Sequence, residues 1–167
     1  MAVNVANSHR VEAMIIGLVS DTHGLLRESV LESLAGVSLI LHAGDVGGGA
    51  ILDTLGGIAP VRAVSGNVDA PDSRLLPHLQ LEVGGLTVHM SHGHELGSPT
   101  PESLLSRYNA DIIVYGHTHK PLVHRAGTRL VVNPGAAGPK RFKLRPSVAR
   151  VTIANGRAEV EIVTLPD

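Results

Sequence analysis

Five short apolar runs lie in the first two thirds of the chain, and each ends close to glycine, serine or a polar residue. They cover residues 14–19, 39–41, 61–64, 86–90 and 112–114. Apolar runs of this length with such boundaries predict buried strands. Helical patterns follow three of them, over residues 25–34, 50–55 and 102–108. Alternation of strand and helix predicts an α/β fold with a mostly parallel inner sheet.

In the middle of the chain, Gly84-Gly85 predicts a hairpin between residues 79–83 and 86–90. The last third of the chain has a different pattern, with strands and tight turns instead of helices. Further strands are predicted over residues 121–124, 129–132, 148–153 and 158–163. No linker, repeat or low-complexity segment interrupts the pattern. We therefore expect one domain over residues 14–167, preceded by a disordered leader over residues 1–13.

Polar side chains follow each of the five early strands. The motifs are Asp21-Thr22-His23, Gly44-Asp45, Gly66-Asn67, His92-Gly93-His94 and Gly116-His117-Thr118-His119. In α/β proteins, the carboxyl ends of the strands face a common crevice, so these distant residues can converge. Apart from His94, they offer two carboxylates, four imidazoles and an amide oxygen, which is a donor set suited to a pair of divalent cations.

This ordered set resembles that of the calcineurin-like metallophosphoesterases. Within them it is most similar to a compact single-domain branch, which contains bacterial phosphodiesterases and the small scaffold subunit of the retromer coat. The resemblance runs from about Met14 to the end and includes Asn133-Pro134-Gly135. It implies a sandwich of two sheets flanked by helices. It also implies one cation held by Asp21, His23 and His119, a second held by Asn67, His92 and His117, and Asp45 bridging both.

The implied activity is metal-dependent phosphoester hydrolysis by a hydroxide that bridges the two cations, with a small phosphodiester favoured over a monoester. Imidazole and carboxylate ligands without thiolate suit manganese, iron, zinc or cobalt. The chain has no cysteine, and it has no Gly-x-Ser-x-Gly motif that would supply a serine nucleophile. A covalent enzyme intermediate is therefore not expected.

Three positions near the motifs bear on catalysis. Many relatives have histidine directly after the ligand asparagine, but this chain has Val68, which cannot transfer a proton. His94 is the nearest candidate acid, with Asp69 orienting it; the alternative is that His94 supports the metal ligands. Asn67 and Arg141 are candidate contacts for substrate phosphate, although a solvated loop is the usual role of a basic run such as that around Arg141.

Composition limits the partners. The net charge is −1, and one Phe, two Tyr and no Trp leave almost no surface for base stacking, so a nucleic-acid platform is not expected. No apolar stretch approaches the roughly 20 residues that span a bilayer. We expect a cytoplasmic protein, with a homodimer as the commonest oligomeric arrangement.

Two other functions fit the same fold. One is a scaffold whose metal ligands have decayed, and the other is a sensor that binds a nucleotide or phosphate without turnover. Every expected ligand position in this chain holds a competent residue. Completeness of the ligand set therefore favours an enzyme over a scaffold.

Overall fold

The computed structural model of the protein describes residues 13–167. The predicted leader therefore lies outside the described residues, apart from Ala13. The elements in chain order are β1 (Met14–Val19), α1 (Glu28–Ser33), β2 (Leu39–His42), α2 (Gly49–Leu55), β3 (Val61–Val64), β4 (Leu75–Leu76), β5 (His78–Val83), β6 (Leu86–Ser91), a 3₁₀ turn (His94–Leu96), α3 (Pro101–Arg107), β7 (Ile112–Val114), β8 (Leu122–Ala126), β9 (Arg129–Asn133), β10 (Ser147–Ala154) and β11 (Arg157–Thr164).

The strands form two mixed sheets. The first has the order β11-β10-β1-β2-β3-β4, in which β1 to β4 are parallel and β10 and β11 are antiparallel additions. The second has the order β5-β6-β7-β9-β8, in which β6, β7 and β9 are parallel. The prediction of a mostly parallel sheet holds for β1 to β4 and for β6, β7 and β9, whereas antiparallel hairpins form one edge of the first sheet and both edges of the second.

Alternating side chains on each strand pack into two different layers. In β1, Ile16 and Leu18 face the other sheet and join the central core, whereas Val19 packs beneath α1 and α2. A third apolar cluster lies where α3 covers the second sheet, around Leu104 and Ile113. The result is the predicted sandwich of two sheets with helices on the outer faces.

Most predicted elements are confirmed to within one or two residues, including the Gly84-Gly85 hairpin. The helix predicted over residues 25–34 is shorter and begins at Glu28. A turn ends at Leu25, whose N–H donates to the Thr22 carbonyl, and residues 26–27 are irregular. The two-residue strand β4 was not predicted. No helix in residues 13–167 is long and apolar enough to cross a membrane.

Candidate metal centre

Five loops meet at one edge of the sandwich, and all five leave the carboxyl end of a parallel strand. They follow β1, β2 and β3 in the first sheet, and β6 and β7 in the second. These are the loops that carry the predicted ligand motifs. The sheets therefore bring together residues that are up to a hundred positions apart in the chain.

The backbone of these loops is unusual. Seven non-glycine residues of the described chain have positive φ, and five of them are predicted ligands: Asp21 (55°), His23 (45°), Asp45 (53°), His117 (68°) and His119 (63°). Side chains disfavour this left-handed region, which costs roughly 1–3 kcal/mol for each residue, and such strain concentrates at functional sites. Regular secondary structure does not require these conformations, so we attribute them to the positioning of the predicted ligand side chains.

Hydrogen bonds between neighbouring loops hold the strained backbone in place. The N–H groups of Asp21 and His23 donate to the carbonyls of Gly44 and Asp45, at 3.0 and 2.9 Å. On the other side, the Gly138 N–H donates to the Asp21 carbonyl at 3.2 Å. The loop after β1 is thus fixed between the loop after β2 and the loop that joins β9 to β10.

Two glycines allow the loops to approach this closely. A Cβ atom at Gly116 would collide with the side chains of Ser20 and Asp21, and one at Gly66 would collide with the carboxylate and backbone N of Asp45. Any larger residue would displace a predicted ligand. The glycines of these two motifs are therefore steric requirements of the site.

Asp21 lies at the centre of the first ligand group. Its Oδ2 accepts hydrogen bonds from the Ser20 hydroxyl at 2.6 Å and the His117 backbone N–H at 3.1 Å. Its Oδ1 faces the Nε2 atoms of His119 and His23, at 3.2 and 3.6 Å. Burial raises the pKa of Asp21, but the neighbouring imidazoles and Ser20 outweigh burial and lower this pKa well below its usual range. The carboxylate is therefore ionised and directed at two imidazoles.

The second group joins Asp45 and His92 to the same centre. Asp45 Oδ2 lies 3.2 Å from His92 Nε2 and 3.7 Å from His23 Nε2. His92 Nδ1 lies 2.8 Å from the Ala43 carbonyl, so the proton is on Nδ1 and the Nε2 lone pair points at the carboxylates. Asp45 thus contacts one imidazole from each predicted half of the site, as a bridging ligand would.

Unpaired buried atoms supply the test of whether a cation fits these residues. Six buried side-chain N or O atoms of the described residues have no hydrogen-bond partner. Four of them belong to predicted ligands: Asp21 Oδ1, His23 Nε2, His92 Nε2 and His119 Nδ1. Buried polar atoms are otherwise almost always paired. The ligand atoms of Asp21, His23 and His119 lie within 4.8 Å of one another, as do those of Asp21, Asp45 and His92. Asp21 belongs to both groups, so this donor set fits divalent cations.

Asn67 and His117 are less closely assembled. Asn67 is exposed and its side chain makes no hydrogen bond within residues 13–167. The His117 ring lies edge-on to His92 with a centroid separation of 5.2 Å, and it is outside both tight groups. The half-site predicted from Asn67, His92 and His117 is therefore more open than that around Asp21. Their role as ligands remains a prediction.

The expected pairing of Asp69 with His94 is absent from the hydrogen bonds of the described residues. Asp69 Oδ1 accepts from the backbone N–H groups of Val46 (2.9 Å) and Gly47 (3.1 Å), and Oδ2 accepts from that of Gly66 (2.8 Å). Both oxygens are thus occupied in joining the β2 and β3 loops. We correct the orienting role of Asp69 to one of holding these loops together.

Glu95 takes the position beside His94 that sequence reasoning gave to Asp69. Its Oε2 accepts from the Gly93 N–H at 2.9 Å and lies 3.8 Å from His94 Nδ1. Its Oε1 accepts from the Tyr108 hydroxyl at 2.8 Å. The His94 ring centroid is 5.4 Å from that of His92 and 6.3 Å from that of His117, so His94 lies at the edge of the metal centre. In the sequence, the direct adjacency of His94 and Glu95 was the signal that could have identified this pairing.

His42 is the last residue of β2 and lies beneath the ligand loops. Its Nδ1 accepts from the Gly44 N–H at 3.2 Å, so Nε2–H donates to the Thr22 hydroxyl at 3.0 Å. That hydroxyl donates to the Val46 carbonyl at 2.7 Å. Burial lowers the pKa of His42 to about 4, which keeps it neutral. A neutral imidazole therefore joins the β1 and β2 loops.

Arg141 and Val68 are both exposed. Arg141 lies in the loop between β9 and β10, where its carbonyl accepts from the Leu144 N–H at 3.0 Å. Among the described residues, its side chain makes no hydrogen bond or ion pair. Val68 is 60% exposed directly after Asn67. Contact between Arg141 and substrate phosphate remains a prediction.

Comparison with known proteins identifies the family. The sequence profile of the calcineurin-like phosphoesterase superfamily domain matches residues 14–156. This chain belongs to that superfamily. The predicted ligand residues lie on loops at the carboxyl ends of its strands.

Relatives within this superfamily cover most of the chain. A probable metallophosphoesterase of Methanothermobacter thermautotrophicus is 33% identical, over 90% of this chain and 92% of the relative. The phosphodiesterase YfcE of Escherichia coli K12 is 31% identical, over 74% and 79% of the two chains. The structure of Vps29 from Entamoeba histolytica complexed with Zn²⁺ has the same fold, with a TM-score of 0.72 at 23% identity, covering 90% of this chain and 99% of Vps29.

Replacing Asp45 by asparagine keeps the shape of the side chain and removes its charge. Loss of groups that only support a metal ligand costs about 10–100-fold in affinity, so loss of the ligand charge should cost at least about a hundredfold in metal affinity and activity. Metal content and turnover of Asp45→Asn measure this. The control is Asp53→Asn, at an exposed aspartate of α2. Full occupancy of two metals in Asp45→Asn would contradict a bridging role.

Removal of metal should lower the thermal midpoint. A ligand that binds only the folded state stabilises it by about 2.7 kcal/mol at a concentration of 100 Kd. For a chain of this size, that corresponds to about 5–10 °C. Chelated protein measured by calorimetry should show this decrease, and manganese or zinc should reverse it. An unchanged midpoint in fully demetallated protein would contradict a preformed site.

Proposed function

We propose that the protein is a dimetal phosphodiesterase, which hydrolyses a P–O bond of a small phosphodiester. Membership of the calcineurin-like superfamily supports metal-dependent phosphoester hydrolysis. The observation that carries the proposal is the convergence of three unpaired buried ligand atoms: His23 Nε2 and His92 Nε2 lie 3.6 and 3.9 Å from Asp21 Oδ1. A scaffold would have no need to keep such atoms unpaired and oriented toward one another.

The residues divide into those that would hold cations and those that would contact substrate. Asp21, His23 and His119 would hold one cation, while His92, Asn67 and His117 would hold the other, with Asp45 between them. When bound, such cations supply an activated water and offset the negative charge that develops on phosphate. Asn67 is exposed in the β3 loop and would be available to contact a phosphate oxygen. Manganese, iron, zinc and cobalt all suit this donor set.

His94 is the candidate for protonating the departing oxygen. It is 39% exposed at the edge of the site, and Glu95 lies on its other side. The Glu95 carboxylate is itself held by Gly93 and Tyr108, so it can keep the imidazole oriented. This arrangement supports His94 as the general acid that Val68 cannot be.

A preference for a diester is supported by the relatives. The Escherichia coli relative YfcE, which is 31% identical to this chain, is named a phosphodiesterase.

A turnover assay tests the proposal. Metal-loaded protein should hydrolyse bis(p-nitrophenyl) phosphate faster than p-nitrophenyl phosphate, and the activity should require added manganese or a related cation. His119→Ala should abolish activity, and His124→Ala, which replaces a half-buried histidine on β8, should not. Metal binding with no hydrolysis of any phosphoester would favour the sensor. Absence of both would favour the scaffold.

The rate should depend strongly on the leaving group, because Val68 stands where many relatives have histidine. General acid catalysis contributes about 10²–10⁴-fold, and its benefit is greatest for basic leaving groups. We expect the rate to fall steeply as leaving-group pKa rises, and Val68→His to make this dependence shallower. Both proteins would be compared on a graded series of phosphodiesters under saturating metal. A flat dependence in the unmodified enzyme, with chemistry rate-limiting, would show that another acid is already in place.

A further inference from the structure

A cleft of about 410 Å³ opens between the start of α2 and the segment after Asn67. Its apolar lining comes from Val46, Leu52, Val68, Ala70, Pro71 and Leu75. The glycines at 47–49 also line the cleft, and they begin two residues after Asp45. The volume is sufficient for an aromatic ring or a short alkyl chain, and none of the proposed metal ligands lines it.

The cleft adjoins the metal centre through two of the ligand loops. Val46 directly follows Asp45, and Val68 directly follows Asn67. The Val68 N–H donates to Asp45 Oδ1 at 3.1 Å, so the wall of the cleft is bonded to the ligand carboxylate itself. A phosphate held at the centre could therefore place one of its ester groups in the cleft.

The charges around the cleft disfavour an anionic occupant. Its lining, all within the described residues, contains two aspartates and no positively charged residue. Asp69 is fully engaged by backbone N–H groups. Arg74 lies near the rim, but it is paired with Asp72 at 3.2 Å and Asp53 at 2.7 Å. A second phosphate would have no cation to pair with here.

The exposure of Val68 indicates an apolar occupant of the cleft. Val68 is 60% exposed, in contrast to the buried Leu52 on the other side of the cleft. An exposed valine beside a ligand loop adds nothing to the core, but its surface would be removed from water by a ligand seated in the cleft. Burial of apolar surface would then add to the affinity for that ligand.

We propose that this cleft binds the uncharged, apolar or aromatic ester group of a phosphodiester whose phosphate lies at the metal centre. This inference rests on the proposed function and specifies its substrate class. Diesters with a hydrophobic or aromatic substituent are substrates, and compounds that would place a phosphate chain in the cleft are excluded. Val68 and Ala70 determine this specificity.

Binding of phosphonates tests the cleft without turnover, because their C–P bond is not hydrolysed. Manganese-loaded full-length protein would be titrated calorimetrically with methylphosphonate, phenylphosphonate and 2-naphthylphosphonate. The aryl compounds should bind about tenfold more tightly than methylphosphonate, since burial of the ring removes apolar surface from water. Equal affinity for the methyl and aryl compounds would overturn the proposal.

Two substitutions locate the preference. Val68→Asn and Ala70→Asp should each reduce the aryl-to-methyl affinity ratio severalfold while methylphosphonate still binds. Val123→Asn is the control, because Val123 is 42% exposed on β8 in the other sheet, outside the cleft. The ratio should be unchanged in this variant.

The outcomes separate this inference from the proposed function. An aryl preference that survives both cleft substitutions would overturn the cleft assignment, and continued hydrolysis of bis(p-nitrophenyl) phosphate would leave the proposed function standing. If no phosphonate binds and no diester is hydrolysed, both are wrong.

Discussion

The left-handed backbone at the ends of the strands is the constraint on which this site depends. Asp21, His23, Asp45, His117 and His119 all adopt it. An extended continuation of each strand would carry these side chains away from one another, whereas the turn directs them back across the edge of the sandwich. The energetic cost is offset by hydrogen bonds between loops, and the bond from the His117 N–H to Asp21 joins loops of the two sheets. The site is therefore a product of the whole fold.

Electrostatics explains why such a site calls for cations. Asp21 and Asp45 are both buried and their carboxylates share the imidazoles of His23 and His92. The pKa of Asp45 is raised by burial and by Asp21, but His92 and the Val68 N–H outweigh these effects and lower it. Two ionised carboxylates in one pocket repel each other unless positive charge lies between them. Divalent cations would supply that charge and would bind the nitrogen lone pairs that have no hydrogen-bond partner.

The sequence was most informative where chemistry and periodicity coincide. Strands such as β1 and β3 were predicted at their observed bounds, because apolar runs end at glycine or serine. The convergence of Asp21, His23, Asp45, His92 and His119 followed from their positions at strand ends. What the sequence could not predict also has a physical reason. The oxygens of Asp69 are occupied by N–H groups of its own loop and of the β2 loop, and no local pattern encodes the contact between the loops, which forms only on folding. Residue type alone likewise does not predict that these Asp and His residues adopt positive φ.

Anomalous diffraction from crystals grown with manganese would test the central claim most directly. The account predicts two peaks about 3.5–4 Å apart, the spacing typical of two-metal sites. One should contact Asp21, His23 and His119, the other should contact His92, and Asp45 should lie between them. A single peak, or peaks away from these residues, would contradict the claim that the loops form a two-cation centre.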